Sequence, residues 1–397
     1  MQSGLENMRL AIVSHVPHYE WQEGLYAYSA YAREIKIWAE LFGRVVIAAP
    51  LRRQEPPGDC VRFERTNISV CPQLEAGGDS FRAKAGLLFT IPRMVLQLAM
   101  VFKNSDAIHV RCPGNLGFLG AMLAPFFSRN LVAKYAGQWT DYPGEASTTR
   151  LQKRLLRSGW FRGPVTVYGS WSGEPEHIVP FFTSVMSSDQ LARARVAAQT
   201  PAPQTRPLRI VFVGRLSAAK NIDVLLQAIA EVKGQDINLE CAIIGEGPER
   251  PRLQALSAQL ALDANVVFRG GLDFEQVLAE FERSDMLVLA SETEGWPKAI
   301  TEAMAFGLVC VGSNRGLVPQ ILSDGRGMVV PPRDVAALAS AIQQVATARE
   351  EYQEMRSRAA AWAQQYSLEG LREALRELLA QRWRVPAPQA APEAVRS

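Results

Sequence analysis

The chain has 397 residues, too many for one ordinary hydrophobic core, so two domains are the starting expectation. Apolar residues make up 48% and charged residues 21%, the balance of a soluble globular enzyme or binding protein. A net charge of +3 is close to neutral at this size and argues against nucleic acid as a partner.

The N-terminal "MQSGLENMRLAIVSH" lacks the basic-then-apolar pattern of a signal peptide. The first strand, "LAIVS", leads into "SHVPHYE", where His15 and His18 read as loop residues. Pro17 separates them and no helix holds them on one face, so a shared metal is not expected. Helical periodicity follows in "YSAYAREIKIWAELFG", a strand in "RVVIAAP", and helical periodicity again over 83–103. The apolar run at 86–102 contains Pro92, Arg93 and Gln97. It is shorter than the roughly 20 residues of a membrane span, so no transmembrane helix is expected. Strands at "AIHVRC", "LVAKYA" and "VTVYGS" complete the first half. The five cysteines are scattered, without a C-x-x-C pair, and fit reduced, mostly buried thiols of a cytoplasmic protein.

Residues 192–207, "ARARVAAQTPAPQTRP", are poor in large apolar side chains and read as a linker. Beyond them the rhythm is regular. "RIVFVG", "LECAIIG", "VVFRG", "MLVLAS", "LVCVGS" and "GMVV" alternate with amphipathic helical segments, the pattern of a parallel sheet covered on both faces. The final stretch from 385, "VPAPQAAPEAVRS", has the composition of a disordered tail.

Ligands of open parallel sheets bind at the carboxyl ends of the strands, so the loops after the strands carry the informative residues. After "RIVFVG", which ends in Gly214, Arg215 and Lys220 flank a turn into a helix, a pairing suited to a diphosphate. After "CAIIG", Gly245 and Gly247 allow a ligand to approach the backbone closely. After "MLVLAS" come Glu294 and Glu302, eight positions apart around a Gly-Trp-Pro turn, with Glu302 read as opening a short helix closed by Gly307. Carboxylates suit sugar hydroxyls, and the backbone N–H groups from Trp296 through Pro297 and Lys298 to Ala299 suit the phosphate beside them. An acid for each of two sugars on either side of a diphosphate describes a nucleotide sugar. Separately, Glu302 as a cap and Glu294 as a solvated acid would be unremarkable.

In this order, "VGRLSAAKN", "IIGEGPE", "FRGGL", "EGWPKAITEAMAFG" and "DGRGMVVPPRD" resemble the retaining GT-B glycosyltransferases of the glycogen-synthase-like group 1 superfamily, over roughly residues 208 to 345. The resemblance implies an α/β fold of two doubly wound Rossmann-like domains facing a central cleft. The N-terminal, acceptor-side domain would span 1–191, the linker 192–207 and the nucleotide-sugar domain 208–364. A C-terminal helix over 365–384 would pack back on the first domain, ahead of a tail at 385–397. It further implies that Glu294 contacts the donor sugar, Glu302 the ribose, Arg215 and Lys220 the diphosphate, and Gly270 and Gly271 the surroundings of the base. The donor would be a UDP- or GDP-sugar, used without metal or cofactor, and the acceptor a glycan or lipid-linked saccharide in cell-surface polysaccharide synthesis. Retaining members are held to react on the front face, with the leaving diphosphate taking the acceptor proton.

The sequence departs from the family pattern in several places. Asn221 follows Lys220 where the family has Gly; Arg315-Gly316 and Gln320 replace a Gly-Gly pair and a later Glu. The first loop offers only Gly24, and the usual sugar-contacting His is replaced by "GQW", leaving Gln138 as a hydrogen-bonding candidate. His109 reads as structural. These departures keep open a catalytically inactive GT-B protein that binds a sugar nucleotide or glycan. A GT-B sugar-nucleotide epimerase is less well supported, since the acids and His it needs in the N-terminal domain have no clear place, and a nicotinamide dehydrogenase is poorer still, since no complete G-x-G-x-x-G follows the first strand. Finally, 82–103 carries Arg82, Lys84, Arg93 and Lys103 beside apolar residues. A cluster from 150 adds Arg150, Lys153, Arg154, Arg157 and Arg162 with an exposed-looking Trp160-Phe161. Such surfaces suit an anionic bilayer, so a cytoplasmic protein docking on the inner membrane face is expected.

Overall fold

The structure, a computed structural model, describes residues 4–74, 81–200, 206–235 and 237–383, with the backbone alone for 81–89. The chain divides into two compact units: one of residues 1–136, 143–181 and 371–397, the other of 137–142 and 182–370.

The first unit is built on a parallel seven-stranded sheet. Its first strand, Arg9–Val13, sits inside the sheet, with Arg44–Ala49 and then Ile68–Pro72 on one side. On the other side follow Ala107–Cys112, Asn130–Tyr135, Val165–Tyr168 and Ile178–Phe181. All six residues of Ala107–Cys112 are buried, as expected of a strand covered on both faces. Helix Ser29–Leu41 packs its Trp38 on His109, ring centroids 4.4 Å apart. Trp383, just beyond helix Leu368–Arg382, is buried in this unit, where its indole N–H donates to the Leu131 carbonyl (3.0 Å).

Several elements here differ from the reading of the sequence. A small sheet in the order Leu51–Arg52, His18–Trp21, Gly24–Tyr28, Cys60–Arg62 takes its two central strands from the segment between the first strand and its helix and its edge strands from beyond that helix. The hairpin turn has positive φ at both Gln22 (44°) and Glu23 (56°), a type I′ pattern without the usual Asn-Gly signature. His18 is therefore a buried strand residue rather than a loop residue, stacked on Phe63. Helix Asn115–Leu123 and the strands Ile68–Pro72 and Ile178–Phe181 were also not evident from periodicity. In the basic segment from 150, Phe161 is fully buried, and Lys153 is buried in an ion pair with Glu145 (2.7 Å). Arg157 pairs with Glu174 (2.9 Å), while Trp160 is exposed. The side chains of Arg82 and Lys84 and the tail at 385–397 lie outside the described residues.

The second unit holds a parallel six-stranded sheet in the order Val266–Gly270, Leu239–Ile244, Leu208–Val213, Met286–Leu289, Val309–Ser313, Met328–Val330. Its core is apolar throughout, with Leu208, Ile210, Phe212, Leu287 and Val311 almost fully buried. Part of the expected linker is helical here: Ser188–Gln199 forms a helix of this unit, opened by a capping box between Ser187 and Gln190. The small Ala-rich side chains that suggested a linker are compatible with a helix that buries only Leu191 and Ala194. Residues 201–205 lie outside the described residues. Among the described residues, no helix is long and apolar enough to cross a membrane.

Candidate active site

In the second unit the strand order reverses direction between Leu208–Val213 and Met286–Leu289, and the carboxyl ends of these neighbours define the switch point where ligands of such sheets bind. From the first strand the chain runs through Gly214 and Arg215 to a single 3-10 turn, Ala218–Lys220, and into helix Ile222–Lys233. From the second it runs through Glu292 and Glu294 to helix Lys298–Ala305. Lys220 Nζ lies 2.5 Å from Glu294 Oε1, with Glu294 buried and Lys220 partly open. Arg215 is exposed and forms no ion pair among the described residues.

Asn221, the departure from the family glycine, adopts left-handed backbone angles (φ 47°, ψ 43°) that asparagine tolerates. Its Nδ2 donates to the Ala290 carbonyl (2.8 Å) and to Glu292 Oε1 (3.1 Å), tying the two loops together. Glu292 also accepts from Arg333 Nε (2.5 Å). That hydrogen bond holds its carboxyl below the usual range against partial burial.

The glycines pack the neighbouring loops edge to edge. A Cβ on Gly245 (φ 137°) would fall 1.9 Å from the Gly214 carbonyl, and one on Gly247 2.2 Å from that of Leu216. Gly270 (φ 76°) ends its strand, and its carbonyl accepts from Gly245 N–H (2.8 Å), while Gly271 N–H donates to Glu246 Oε1 (3.3 Å). These loops thus form one surface with Arg215 and Lys220.

Helix Lys298–Ala305 starts earlier than the sequence suggested. Glu302 lies within it, buried, rather than at its opening, because Pro297 already serves as the N-cap residue. Pro297 has no N–H, so only Trp296, Lys298 and Ala299 can donate from this turn. No side chain caps the helix, which leaves its first amides available. Trp296 is held by a hydrogen bond to Thr301 Oγ1 (3.2 Å) and by the rings of Trp362 and Tyr366. A small cavity borders Glu302, lined by Ser184, Lys298, Thr301 and Tyr366 among others. A larger one, about 320 Å³, lies at the amino ends of the strands, lined by Arg209, Glu240 and Arg283 among others; it touches none of Arg215, Lys220, Glu294 and Glu302 and is on the wrong edge for sheet chemistry.

Gln138 is brought to the same loops, since residues 137–142 belong to the second unit. Its buried Oε1 has no hydrogen-bond partner and would lie 3.1 Å from a Cβ on Gly316. That Cβ would also fall 1.9 Å from the Glu294 carbonyl, and Gly295 lies against Gly137, so Gln138 stands directly behind the Glu294 loop. Gly24 lies in the first unit, in a hairpin strand rather than a loop, against Tyr26 and Arg62. His109 is fully buried in the first unit and neither ring nitrogen has a partner, in keeping with a structural residue. Sequence reading missed Glu292 and Arg333, whose signal was only their position just after strands.

Residues 196–362 match the model of the family described as glycosyl transferases group 1. These residues form a group 1 glycosyltransferase domain. A GDP-mannose-dependent alpha-(1-6)-phosphatidylinositol monomannoside mannosyltransferase of Mycolicibacterium smegmatis is 29% identical over 57% of this chain and 63% of its own length. Sucrose-phosphate synthase from Thermosynechococcus elongatus superposes with TM-score 0.70 at 20% identity, covering 94% of this chain and 99% of that one. HepE of Anabaena, solved with UDP and glucose, gives TM-score 0.67 at 16% identity, covering 94% and 100%. The fold is GT-B, with two Rossmann-like domains. The curated relatives are matched over about a third to under two thirds of their own length, 36% and 55% for two of them.

Proposed function

We propose that this group 1 domain serves a retaining glycosyltransferase that moves a sugar from a UDP- or GDP-sugar to a glycan or lipid-linked acceptor, in cell-surface polysaccharide or glycoconjugate synthesis. The observation that carries the reading is the Lys220–Glu294 pair, 2.5 Å long, at the switch point of a group 1 domain. In this structure these groups satisfy each other. With donor bound, Lys220 turns to the diphosphate beside Arg215, and Glu294 accepts from the sugar hydroxyls, as Glu302 does from the ribose. UDP bound to HepE and the GDP-mannose dependence of the mycobacterial relative support the donor class.

In this mechanism the bond from the sugar anomeric carbon to the phosphate oxygen breaks while the acceptor oxygen bonds to the same face. The acceptor proton passes to the departing phosphate oxygen. Arg215, Lys220 and the amides of Lys298 and Ala299 stabilise the charge that develops on the diphosphate. These groups need no metal to do so, and transfer is expected to survive EDTA. A loss of activity restored by magnesium or manganese would overturn the metal-free mechanism. Failure of both UDP and GDP to raise the melting temperature would overturn the donor reading itself.

The protein is further proposed to work in the cytoplasm, at an anionic membrane face. Support comes from exposed Leu96, Met100, Phe126 and Trp160 in the first unit, with Lys103 on the same helix as Leu96 and Met100, and Arg154 on helix Ser147–Arg157 just before Trp160. With Lys153 and Arg157 internally paired, fewer cations remain than the sequence offered.

A further inference from the structure

The first unit has a switch point of its own, between Arg9–Val13 and Ala107–Cys112, and the donor chemistry does not use the charges gathered there. Arg111 is the penultimate residue of its strand, and Lys134 is its register partner on the next. Both reach Glu34 on helix Ser29–Leu41. Arg111 makes a two-pronged pair with the carboxylate (2.5 and 3.3 Å), and Lys134 Nζ lies 2.8 Å from Oε2. The three residues are 93 to 96% buried, being 7, 4 and 5% exposed. Arg111 also lies over the Tyr31 ring and Lys134 over that of Tyr168, while His15 stands in the loop that follows the first strand.

Two cations here share one carboxylate, which leaves an excess positive charge. Burial would raise the Glu34 carboxyl, but Arg111 and Lys134 hold it well below its usual range, so it stays ionised. Burial and the Arg111 charge together pull Lys134 below its usual value although Glu34 opposes them. An internal tie between helix and sheet is complete with Arg111 and Glu34 alone, and a second buried cation is unfavourable beyond what one shared carboxylate offsets. Open parallel sheets bind their ligands at this place in the topology.

We propose that Arg111 and Lys134 form an anion site that takes a phosphate or carboxylate group carried by the acceptor. The anion site stands on the geometry of the first unit; only its assignment to the acceptor rests on the transferase reading.

The test uses the full chain saturated with UDP, so that Arg215 and Lys220 are occupied, and titrates inorganic phosphate by calorimetry at constant ionic strength. Two charge-assisted hydrogen bonds predict a Kd on the order of 1 mM. Lys134→Met leaves a balanced Arg111–Glu34 pair, so it is expected to melt no lower than the parent and to bind phosphate at least tenfold more weakly. Lys134→Arg is expected to retain binding. In the unmodified protein, phosphate is expected to raise the hydrogen-exchange protection of strands Ala107–Cys112 and Asn130–Tyr135, which needs no variant to fold. Absence of phosphate binding and of protection, or an unchanged Kd in Lys134→Met, overturns the site. If UDP itself fails to bind, the donor reading falls while the phosphate result still decides the anion site. Displacement of phosphate by glucose 6-phosphate points to a soluble carrier, and displacement only by phosphatidylglycerol micelles to a lipid one.

Discussion

The two switch points share a topology and differ in how they hold charge. In the second unit Arg215 and Glu294 stand on loops after the strands and Lys220 on a short turn, with part of its surface open, while Glu302 follows on the helix. In the first, Arg111 and Lys134 belong to the strands themselves and are buried against a helix. A loop residue can swing to a ligand without disturbing the sheet; a strand residue is held in place and can only wait for a ligand to reach it. The second unit therefore suits a donor whose several parts must be gripped and released, and the first suits one small fixed charge.

The largest effect that would sharpen this contrast is in the loop site. Glu302→Ala removes a buried carboxylate proposed to accept two hydrogen bonds from the ribose. At about 1.5 kcal/mol each, this costs about 3 kcal/mol, or more than hundredfold in UDP affinity. Glu294→Gln should act in the opposite direction, because it frees Lys220 from its ion pair for the diphosphate; bare UDP should bind several-fold tighter while transfer is lost. Calorimetry on both variants is decisive. Equal weakening in the two would mean that the Lys220–Glu294 pair is not one that the donor breaks.

The loop site was legible in the sequence because its parts are local. Arg215 and Lys220 lie five positions apart and Glu294 and Glu302 eight, each set following an apolar strand. Glu34, Arg111 and Lys134 come from three distant segments, and no spacing links them until the sheet sets Arg111 beside Lys134. The hairpin was hidden for a different reason, since Gln22-Glu23 is not a pair that signals a type I′ turn. The linker was misplaced because small, polar and alanine-rich sequence fits a lightly buried helix as well as a loop, and only the Ser187-x-x-Gln190 cap distinguished them.

Acid should separate the units by a smaller amount. All four histidines, His15, His18, His109 and His177, lie in the first unit. Burial lowers His18 from 6.5 to about 4, against a hydrogen bond with the Val16 carbonyl, and burial also lowers His109. Between these two values the unfolded chain binds the proton that the folded chain refuses. Stability is therefore intact above pH 6.5 and falls as pH drops through the window, by about 2 kcal/mol at pH 5 for His18 alone. Hydrogen exchange at pH 7 and pH 5, corrected for intrinsic rates, should show strand Arg9–Val13 losing about thirtyfold in protection while Leu208–Val213 holds. Equal losses in the two sheets would remove histidine as the source of the difference.

The smallest effect concerns what lets the loop site be both mobile and ordered. Asn221 sits at φ 47°, and its side chain joins the end of one switch-point strand to the loop of the other through Ala290 and Glu292. Asn221→Gly keeps the backbone geometry and loses the bonds; Asn221→Ala loses the bonds and adds left-handed strain. Removing the bonds costs about 1 kcal/mol and the strain at least about 1 kcal/mol more. For a unit of this size each kcal/mol lowers the melting temperature by roughly 2–4 °C. Glycine should therefore melt a few degrees below the parent, and alanine lower by about as much again. If the two variants melted together, left-handed strain would not be what the family's glycine relieves, and asparagine would be retained here for its side-chain bonds alone.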